Sequence, residues 1–332
     1  MLGCVSDVLC NRHCLWIIVI INVHLVIGKS ISESCWHENG EVVQCRCTGN
    51  EQLTLPETFN YKYLTKLAIS SCLSVNLQFD SLQHAENIRD LIVENITGSL
   101  LLHPMLISRY MRTFVIRNVG QIPEITHEML TSIMSIEEFI IEDTRIRIFD
   151  ETFQGINVTN LIFKNVTVDA SMGINILANA KSLKIIDTVI RNVTGNFNIG
   201  SFESIELVNS MFEFRKPGEM SLHGFKAIIN NCTFYNITVN VVTQTKIEMK
   251  NNCADGKSLL RLDSKVIKSI GNKSPNEINL PKNTTADIQT HNNTVCIAAN
   301  CKCPRHFYRN CQTIMNINIS LGIILMFISY LL

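Results

Sequence analysis

Apolar residues recur along the middle of the chain in one constant arrangement. An apolar residue is followed three positions later by a second and two positions after that by a third, as in Leu64, Leu67 and Ile69, and a polar residue usually follows two positions later. The middle apolar residues of the successive copies are Leu67, Leu91, Phe114, Phe139, Leu161, Leu183, Ile205, Ala227 and Ile247. The steps between them are 24, 23, 25, 22, 22, 22, 22 and 20 residues. A period this constant over nine copies predicts a solenoid.

Each copy also carries the pattern of a short strand. Leu67 and Ile69 stand on either side of one variable residue, and the equivalent pair recurs in the later copies. An alternation of period two predicts a β-strand whose apolar side chains share one face. Stacking the copies places these strands side by side, so the sequence predicts a repeat solenoid with a parallel β-sheet.

The outward positions of the early strands have a regular composition. The variable residue between the two apolar ones is aliphatic in Ile92, Val115, Ile140 and Ile162. Two positions further along each strand, the charge alternates from turn to turn through Glu94, Arg117, Glu142 and Lys164. An exposed apolar stripe is typical of a partner site, so these eight residues are candidate partner-binding residues. The alternative is that the chain's own loops cover the stripe and that the charges only pair laterally between strands.

One copy and the segment before the repeats resemble a known family. Residues 135–156 read S-I-E-E-F-I-I-E-D-T-R-I-R-I-F-D-E-T-F-Q-G-I, and the repeats are preceded by Cys35, Cys45-x-Cys47 and then Leu53-Thr54-Leu55-Pro56. Over residues 35–251 the chain resembles extracellular leucine-rich repeat proteins. The resemblance implies an open solenoid whose concave sheet is available to a protein ligand.

The chain also departs from that family. The family's buried Asn at the ninth position of the repeat is replaced, and the residues in its place are Ile96, Val119, Thr144, Val166 and Thr188. The later copies shorten to 22 residues and lose their second apolar half. A right-handed parallel β-helix with an inward ladder of stacked asparagines therefore remains the alternative fold.

Both ends of the chain read as targeting signals. An apolar run over residues 15–27 follows Arg12 and His13, which predicts a signal peptide over residues 1–28, with an uncleaved anchor as the alternative. Residues 312–332 form a hydrophobic tail whose last twelve residues are apolar or nearly so. Such a tail fits a glycolipid-anchor signal with Asn310 as the candidate attachment residue, and the alternative is a single membrane span. Either way, we expect the folded part on the outer face of the plasma membrane.

Ten cysteines follow the signal peptide, and an even set in this compartment predicts disulfides. The ten are Cys35, Cys45, Cys47, Cys72, Cys232, Cys253, Cys296, Cys301, Cys303 and Cys311. The first four are expected to seal the start of the solenoid, and Cys232 is expected to bond to Cys253 on the next repeat. The last four are expected to form a small knot over residues 296–311 that resembles half of an epidermal-growth-factor-like module. Zinc binding is the alternative for the closely spaced pairs, although their spacing is short for it.

The remaining boundaries follow from composition. We expect an N-terminal cysteine-rich cap over residues 29–63, the solenoid over residues 64–255, and one degenerate turn followed by a glycosylated stalk over residues 256–295. Asn-x-Ser/Thr acceptors are frequent and occur at Asn95, Asn157, Asn165, Asn192, Asn231, Asn236, Asn272, Asn283, Asn292 and Asn318. Asn95, Asn165 and Asn231 share one repeat position, and we expect at least two of these three to carry glycans.

Charge and motifs point to recognition rather than catalysis. The 29 basic and 29 acidic residues balance, which argues against a nucleic-acid partner. No catalytic, phosphate-binding or dinucleotide motif occurs, and nothing indicates a cofactor or a bound metal. Asp143 and Asp187 lie two turns apart, at the wide limit for a glycoside-cleaving pair. We therefore predict a glycosylated cell-surface recognition protein that binds a protein ligand or receptor; the alternative is a β-helix that binds or cleaves polysaccharide.

Overall fold

The chain folds as a parallel β-solenoid. The computed structural model describes residues 29–30, 34–55, 60–78, 82, 85–103, 109–130, 132–150, 156–282, 285–296 and 302–303. These residues contain no α-helix, and none of their helical turns is long and apolar enough to cross a bilayer.

Strands make up almost all of the described chain. The strands up to residue 171 are Lys29–Ser30 (β1), Cys35–Glu38 (β2), Val42–Arg46 (β3), Gln52–Thr54 (β4), Lys66–Ser70 (β5), Ser74–Leu77 (β6), Asp90–Leu102 (β7), Tyr110–Ile125 (β8), Ser135–Phe149 (β9) and Asn157–Ser171 (β10). The later strands are Ile174–Ile186 (β11), Val189–Val193 (β12), Phe197–Val208 (β13), Met211–Asn230 (β14), Thr233–Lys250 (β15), Cys253–Asp255 (β16), Leu259–Asp263 (β17), Val266–Ile270 (β18), Lys273–Ser274 (β19), Asp287–His291 (β20) and Thr294–Val295 (β21). Two short 3-10 turns span Tyr61–Tyr63 and His127–Leu130.

One continuous parallel sheet runs the length of the solenoid, and we call it the front sheet. It contains β3, β5, β7, β8, β9, β10, β11, β13, β14, β15, β18 and β20, each paired with the next. The repeated apolar pairs all point into the core from this sheet; Leu67 and Ile69, for example, are both 0% exposed. The predicted parallel sheet and its inward residues are confirmed.

The cross-section of the solenoid changes along its length. After each front strand the chain turns a corner into a second parallel sheet, which runs from β4 and β6 to β19 and β21. In the early turns the return side is irregular and includes the two 3-10 turns. From Ile174 onward, parts of β11, β13, β14, β15 and β17 pair as a third sheet. The early turns thus have two sheets and one irregular side, and the later turns have the three sheets of a parallel β-helix.

Aromatic side chains fill the core between turns. Phe114 and Phe139 meet edge to face with ring centroids 5.0 Å apart. Phe212 and Phe234 stack in parallel at 5.7 Å. Such pairs add to the apolar burial that holds one turn on the next, because each turn alone cannot cover its own apolar face.

A β-hairpin closes the N-terminal end of the solenoid. β2 and β3 pair antiparallel, and Asn39 and Gly40 both have positive φ in the turn between them. The edge that would otherwise be open is therefore covered by β2 and, beyond it, by β1. The first strands of the solenoid, β3 and β4, therefore lie inside the range of residues 29–63 that was predicted for the cysteine-rich cap.

The solenoid continues past the predicted boundary at residue 255. β18 and β20 add two more strands to the front sheet, and Lys273–Ser274 and Thr294–Val295 extend the second sheet. The prediction of one degenerate turn and a stalk over residues 256–295 is therefore wrong for the stalk, because this segment forms two further turns. Its polar composition does not show the apolar pattern of the earlier repeats. The inward positions of these two turns include Ser269, which is 0% exposed and breaks the apolar pattern.

Candidate functional site

The predicted aliphatic stripe forms a straight column on the outer surface of the front sheet. Ile92, Val115, Ile140 and Ile162 are direct lateral partners in four consecutive turns, and we call them the aliphatic column. Val115 is 6% exposed and the other three are partly exposed. Beyond the N-terminal hairpin, the described strands pack against strands of neighbouring turns. No strand among the described residues therefore crosses the outer surface of the front sheet.

The four alternating charges form a second column beside the first. Glu94, Arg117, Glu142 and Lys164, the charged column, are lateral partners in the same four turns. Glu142 is central, since its carboxylate lies 2.9 Å from Arg117 Nε and 2.5 Å from Lys164 Nζ. Glu94 lies further from Arg117, at 4.0 Å. The predicted lateral pairing is present, and half of the Lys164 side chain stays exposed at 52%.

Electrostatics within the charged column stabilise its ionised state. The hydrogen bond from Lys164, aided by the one from Arg117, lowers the pKa of Glu142, and partial burial opposes this shift. The same bond raises the pKa of Lys164. These contacts therefore favour the charged forms of the Glu142 carboxylate and the Lys164 ammonium group.

The polar residue after each front strand lies at the corner of the solenoid in the left-handed backbone conformation. Asn95, Asn118, Asp143, Asn165, Asp187, Asn209, Asn231 and Asn251 all have φ between 49° and 56°. Asn and Asp tolerate this conformation better than other residues with a side chain, which explains their recurrence. Their side chains also bond across turns, as from Asn118 Nδ2 to Asn95 Oδ1 at 2.8 Å.

This geometry bears on the three glycosylation acceptors at the corner. Asn95 and Asn231 are exposed and Asn165 is partly exposed, so none of them lies in an inward ladder. The Nδ2 atoms of Asn165 and Asn231 already donate to neighbouring corner residues, at 2.7 and 3.2 Å. Asn95 accepts a bond through its Oδ1 from the next corner residue, so its Nδ2 is the best placed of the three for a glycan. We call these side-chain bonds between successive corner residues the corner ladder.

The other acceptors fall into three groups. Asn157, Asn192 and Asn292 are exposed, and Asn236 is partly exposed. Asn272 is 1% exposed, and its Nδ2 donates to Met249 O at 2.9 Å, so the folded chain leaves no room for the glycan predicted there. Asn283 and Asn318, like the predicted attachment residue Asn310, lie outside the described residues.

The cysteines at the N-terminal end pair as a local cluster. Cys35 bonds to Cys45, and Cys47 bonds to Cys72, which is on the next turn. The predicted seal of the first turn is therefore confirmed.

The pairing predicted between Cys232 and Cys253 is wrong. Cys253 bonds to Cys303, and Cys232 is a buried free thiol. The lateral partner of Cys253 is Thr233, one residue past Cys232, and successive residues of a strand point to opposite faces. Cys232 therefore faces the core while Cys253 faces outward, and burial raises the pKa of the Cys232 thiol to about 12.

The prediction of a disulfide knot among the last four cysteines is wrong for Cys303, which bonds to Cys253 on the solenoid. Tyr235 Oη donates to Cys303 O at 3.2 Å, which holds this end of the chain beside the second sheet. Cys296 is also disulfide-bonded. Cys301 and Cys311 lie outside the described residues.

The carboxylates tested as a catalytic pair have structural partners. Asp143 accepts from Asn165 Nδ2, and Asp187 accepts from Asn209 Nδ2 at 3.1 Å, so both are members of the corner ladder. In the described part of the chain, no group of three or more His, Cys, Asp or Glu residues could hold a metal ion. A cavity there, lined by residues such as Phe149 and Phe163, has no room for a water molecule.

The inward asparagine ladder of the alternative fold is present in the last turns, at residues that sequence reasoning did not identify. Asn252, Asn272 and Asn293 follow the corner residue directly, and Cys232 N, Asn252 N and Asn272 N donate to their Oδ1 atoms at 2.8, 3.0 and 3.0 Å. Their recurrence at steps of 20 and 21 residues, each after an Asn or Gly corner, was the available signal.

Comparison with known proteins adds no relationship. The chain matches no model of a protein family, no curated protein and no solved structure. The inferences about its function therefore rest on its own residues and geometry.

Proposed function

We propose that this chain is a glycosylated cell-surface recognition protein that binds a protein partner through the front sheet. One observation carries the proposal: the aliphatic column is partly exposed on an ordered sheet that no described strand covers, and fixed charges flank it. A flat apolar stripe beside charges is typical of a protein-binding surface, since the apolar part supplies affinity and the charges supply orientation.

The proposed location is the outer face of the plasma membrane. The disulfides that join Cys35 to Cys45, Cys47 to Cys72 and Cys253 to Cys303 support it, because such bonds form and persist in oxidising compartments. The N-terminal apolar run, the glycosylation acceptors and the C-terminal hydrophobic tail are consistent with secretion and attachment through a glycolipid.

The binding role is tested with two double variants of the full chain expressed on cells. Ile92→Asp with Ile140→Asp places two carboxylates in the aliphatic column, and we expect it to abolish adhesion to the partner cell while the surface level stays normal. Phe225→Asp with Val242→Asp is the matched control, because these two residues are 50% and 39% exposed and neither belongs to the aliphatic column. Adhesion that survives the first double variant would place the binding surface elsewhere, and loss of secretion would show that these positions belong to the core.

The attachment is tested separately with a phospholipase specific for phosphatidylinositol. A glycolipid anchor predicts release of the protein into the medium. A protein that stays on the cells after treatment with active enzyme would indicate a membrane span instead.

A further inference from the structure

The charged column is complementary to its own reverse. In chain order it reads Glu94, Arg117, Glu142 and Lys164, and the reversed order has the opposite sign at every position. Two copies that face each other with antiparallel solenoid axes would place Glu94 opposite Lys164, and Arg117 opposite Glu142, of the second copy. Each of these contacts is attractive, and two-fold symmetry creates each of them twice.

The aliphatic column is symmetric about the same point as the charged column, midway between β8 and β9. A two-fold axis parallel to the strands, passing midway between β8 and β9, keeps each column opposite itself and reverses the order of the turns. It brings Ile92 opposite Ile162, and Val115 opposite Ile140, of the second copy. One symmetry operation therefore satisfies both the apolar and the charged column.

Neighbouring registers do not satisfy both columns. An axis through β8 places Arg117 opposite its own copy, and an axis through β9 does the same with Glu142. Moving the axis midway between β9 and β10 places Ile92 opposite Glu206, which removes water from a carboxylate and gives it only an aliphatic side chain across the interface. Moving it midway between β7 and β8 places Arg46 opposite Lys164.

The parallel arrangement of two copies is also unfavourable. A two-fold axis along the solenoid would place the first outward residue of each strand opposite the charged column. Asp90 would then face Glu94, and Glu138 would face Glu142, of the second copy. Two like-charged contacts at the centre of an interface are repulsive.

We propose that the partner of the front sheet is a second copy of this chain, bound antiparallel and face to face about an axis between β8 and β9. This inference rests on the proposed function and names its partner. The aliphatic columns form the centre of the interface, and the charged columns fix its register.

The front sheet is large enough for such an interface. The interface would include the eight turns from β3 to β13, which are centred on the axis. With ~4.8 Å between neighbouring strands and ~3.3 Å for each residue of a five-residue segment, these turns cover ~600 Å² per copy. About 1,200 Å² in total is at the lower end of specific interfaces. No like charges face each other across these eight turns; the outer positions pair Gln44 with Glu206 and Ala68 with Lys184.

The antiparallel arrangement has a consequence for chains attached through their C-terminal tails. The last described turns of the two solenoids, which lead toward these tails, would lie at opposite ends of the pair, so one membrane cannot easily hold both copies. Two apposed cells can, and the pair therefore corresponds to homophilic adhesion between cells.

The test is a charge exchange in the full chain on cells, with cell aggregation as the readout. Cells that express wild type should aggregate with each other. Arg117→Glu should reduce aggregation to the level of non-expressing cells, because the introduced carboxylate then faces that of Glu142. Glu142→Arg should do the same, because two guanidinium groups then face each other. In a mixture of the two variant populations, opposite charges meet at both positions, and aggregation should return to at least half of the wild-type level.

Arg145→Glu is the matched control. Arg145 is also a half-exposed arginine bonded to a carboxylate on the next turn, Asp169 at 2.9 Å, but it lies on the second sheet, so its reversal should leave aggregation unchanged. If either variant of the first pair fails to reach the surface, Glu94→Lys mixed with Lys164→Glu makes the same exchange at the outer contacts.

Three results would overturn the inference: aggregation of the Arg117→Glu cells alone at the wild-type level, no recovery in the mixture, or no aggregation of wild-type cells. If wild-type cells do not aggregate but adhere to non-expressing cells, and the Ile92→Asp, Ile140→Asp variant loses this adhesion, the proposed function is still supported. Loss of all adhesion would contradict both.

Discussion

At the scale of single residues, the corner position decides how the chain turns from one sheet to the next. The backbone there is left-handed in turn after turn, and the residue is Asn or Asp except at Ser71, with φ of 60°, and at Gly271, with φ of 66°. A Cβ at Gly271 would approach Asn251 Oδ1 to 2.6 Å, so this corner also needs glycine for space. The corner residues thus combine a backbone requirement with side-chain bonds between turns.

Replacing a central corner residue should separate these two contributions. Asn209→Ala loses the bonds to Asp187 and from Asn231 and puts alanine at φ of 49°, so we expect a loss of about 2 kcal/mol in the free energy of unfolding. Asn209→Gly loses the bonds but accepts the backbone, and its loss should be about half as large. Urea unfolding of both variants measures the difference. Equal losses would show that the left-handed conformation costs little here.

Glycan occupancy should follow the burial of each acceptor. Glycopeptide mapping should find Asn95 occupied, because its side chain is exposed and its Nδ2 is not used in the corner ladder. Asn272 should be bare, since it is 1% exposed and bonded inside the core. At Asn165 and Asn231 a glycan would have to replace a bond between turns. A glycan on Asn272 would contradict the inward asparagine ladder.

At the scale of elements, charged side chains of the front sheet also pair along a single strand. In β15 the carboxylate of Glu248 accepts from Lys246 and Lys250 at 2.8 and 2.5 Å. These two hydrogen bonds, the one from Lys246 first, lower the pKa of Glu248 to about 2. Glu248 lies in the same row of the front sheet as the aliphatic column, four strands beyond Ile162.

The lowered pKa gives a pH dependence with a definite sign. The carboxylate stabilises the fold above its ordinary pKa of 4.5, and this contribution disappears as the pH falls toward about 2. Glu248→Gln should therefore be less stable than wild type at pH 7, by under about 1 kcal/mol because the lysines are partly exposed, and the difference should vanish in acid. Glu206→Gln, whose partner Lys184 is 3.8 Å away, should show less. A difference that persists at the lowest pH would contradict this origin.

At the scale of the whole molecule, the two ends of the stack are treated differently. The antiparallel hairpin of β2 and β3 covers the first turn, and disulfides hold it. At the other end, Cys303 returns to Cys253 on the outside of the second sheet. Because each turn contacts only its neighbours, these end structures protect the turns most exposed to unfolding.

The revised cysteine pairing gives a direct test of the return at the C-terminal end. Mapping by alkylation should find Cys232 unreactive until urea unfolds the chain, because it is buried and its pKa is about 12. Cys303→Ser should free Cys253 and lower stability by at most about 4 kcal/mol, the value for closing a loop of 50 residues. Cys232→Ser should leave the disulfide from Cys253 to Cys303 intact. A Cys232–Cys253 bond would restore the original prediction and require a shift of register.

The sequence by itself determined the period, the strands and the inward residues. Leu67 and Ile69 and their equivalents repeat because every turn must bury the same positions against the next, and this requirement is local to each turn. It also determined the two outward columns, since the alternation of a strand assigns each residue to one face. The recurrence of Asn and Asp at the corner could also be found from the sequence, because it repeats with the same period. Their left-handed backbone conformation could not.

Only the tertiary structure decided the features that depend on contacts between turns. The third sheet begins at Ile174 because the shortened turns pair on their return side, which no single repeat reveals. Cys232 and Cys253 looked equivalent at a separation of 21 residues, but the turn there is 20 residues long, and that offset of one residue places them on opposite faces. Asn231 and Asn252 are both asparagines near a corner, yet one is exposed and the other buried, because Asn231 is the corner residue and Asn252 lies one position past a corner, where its side chain bonds inside the core.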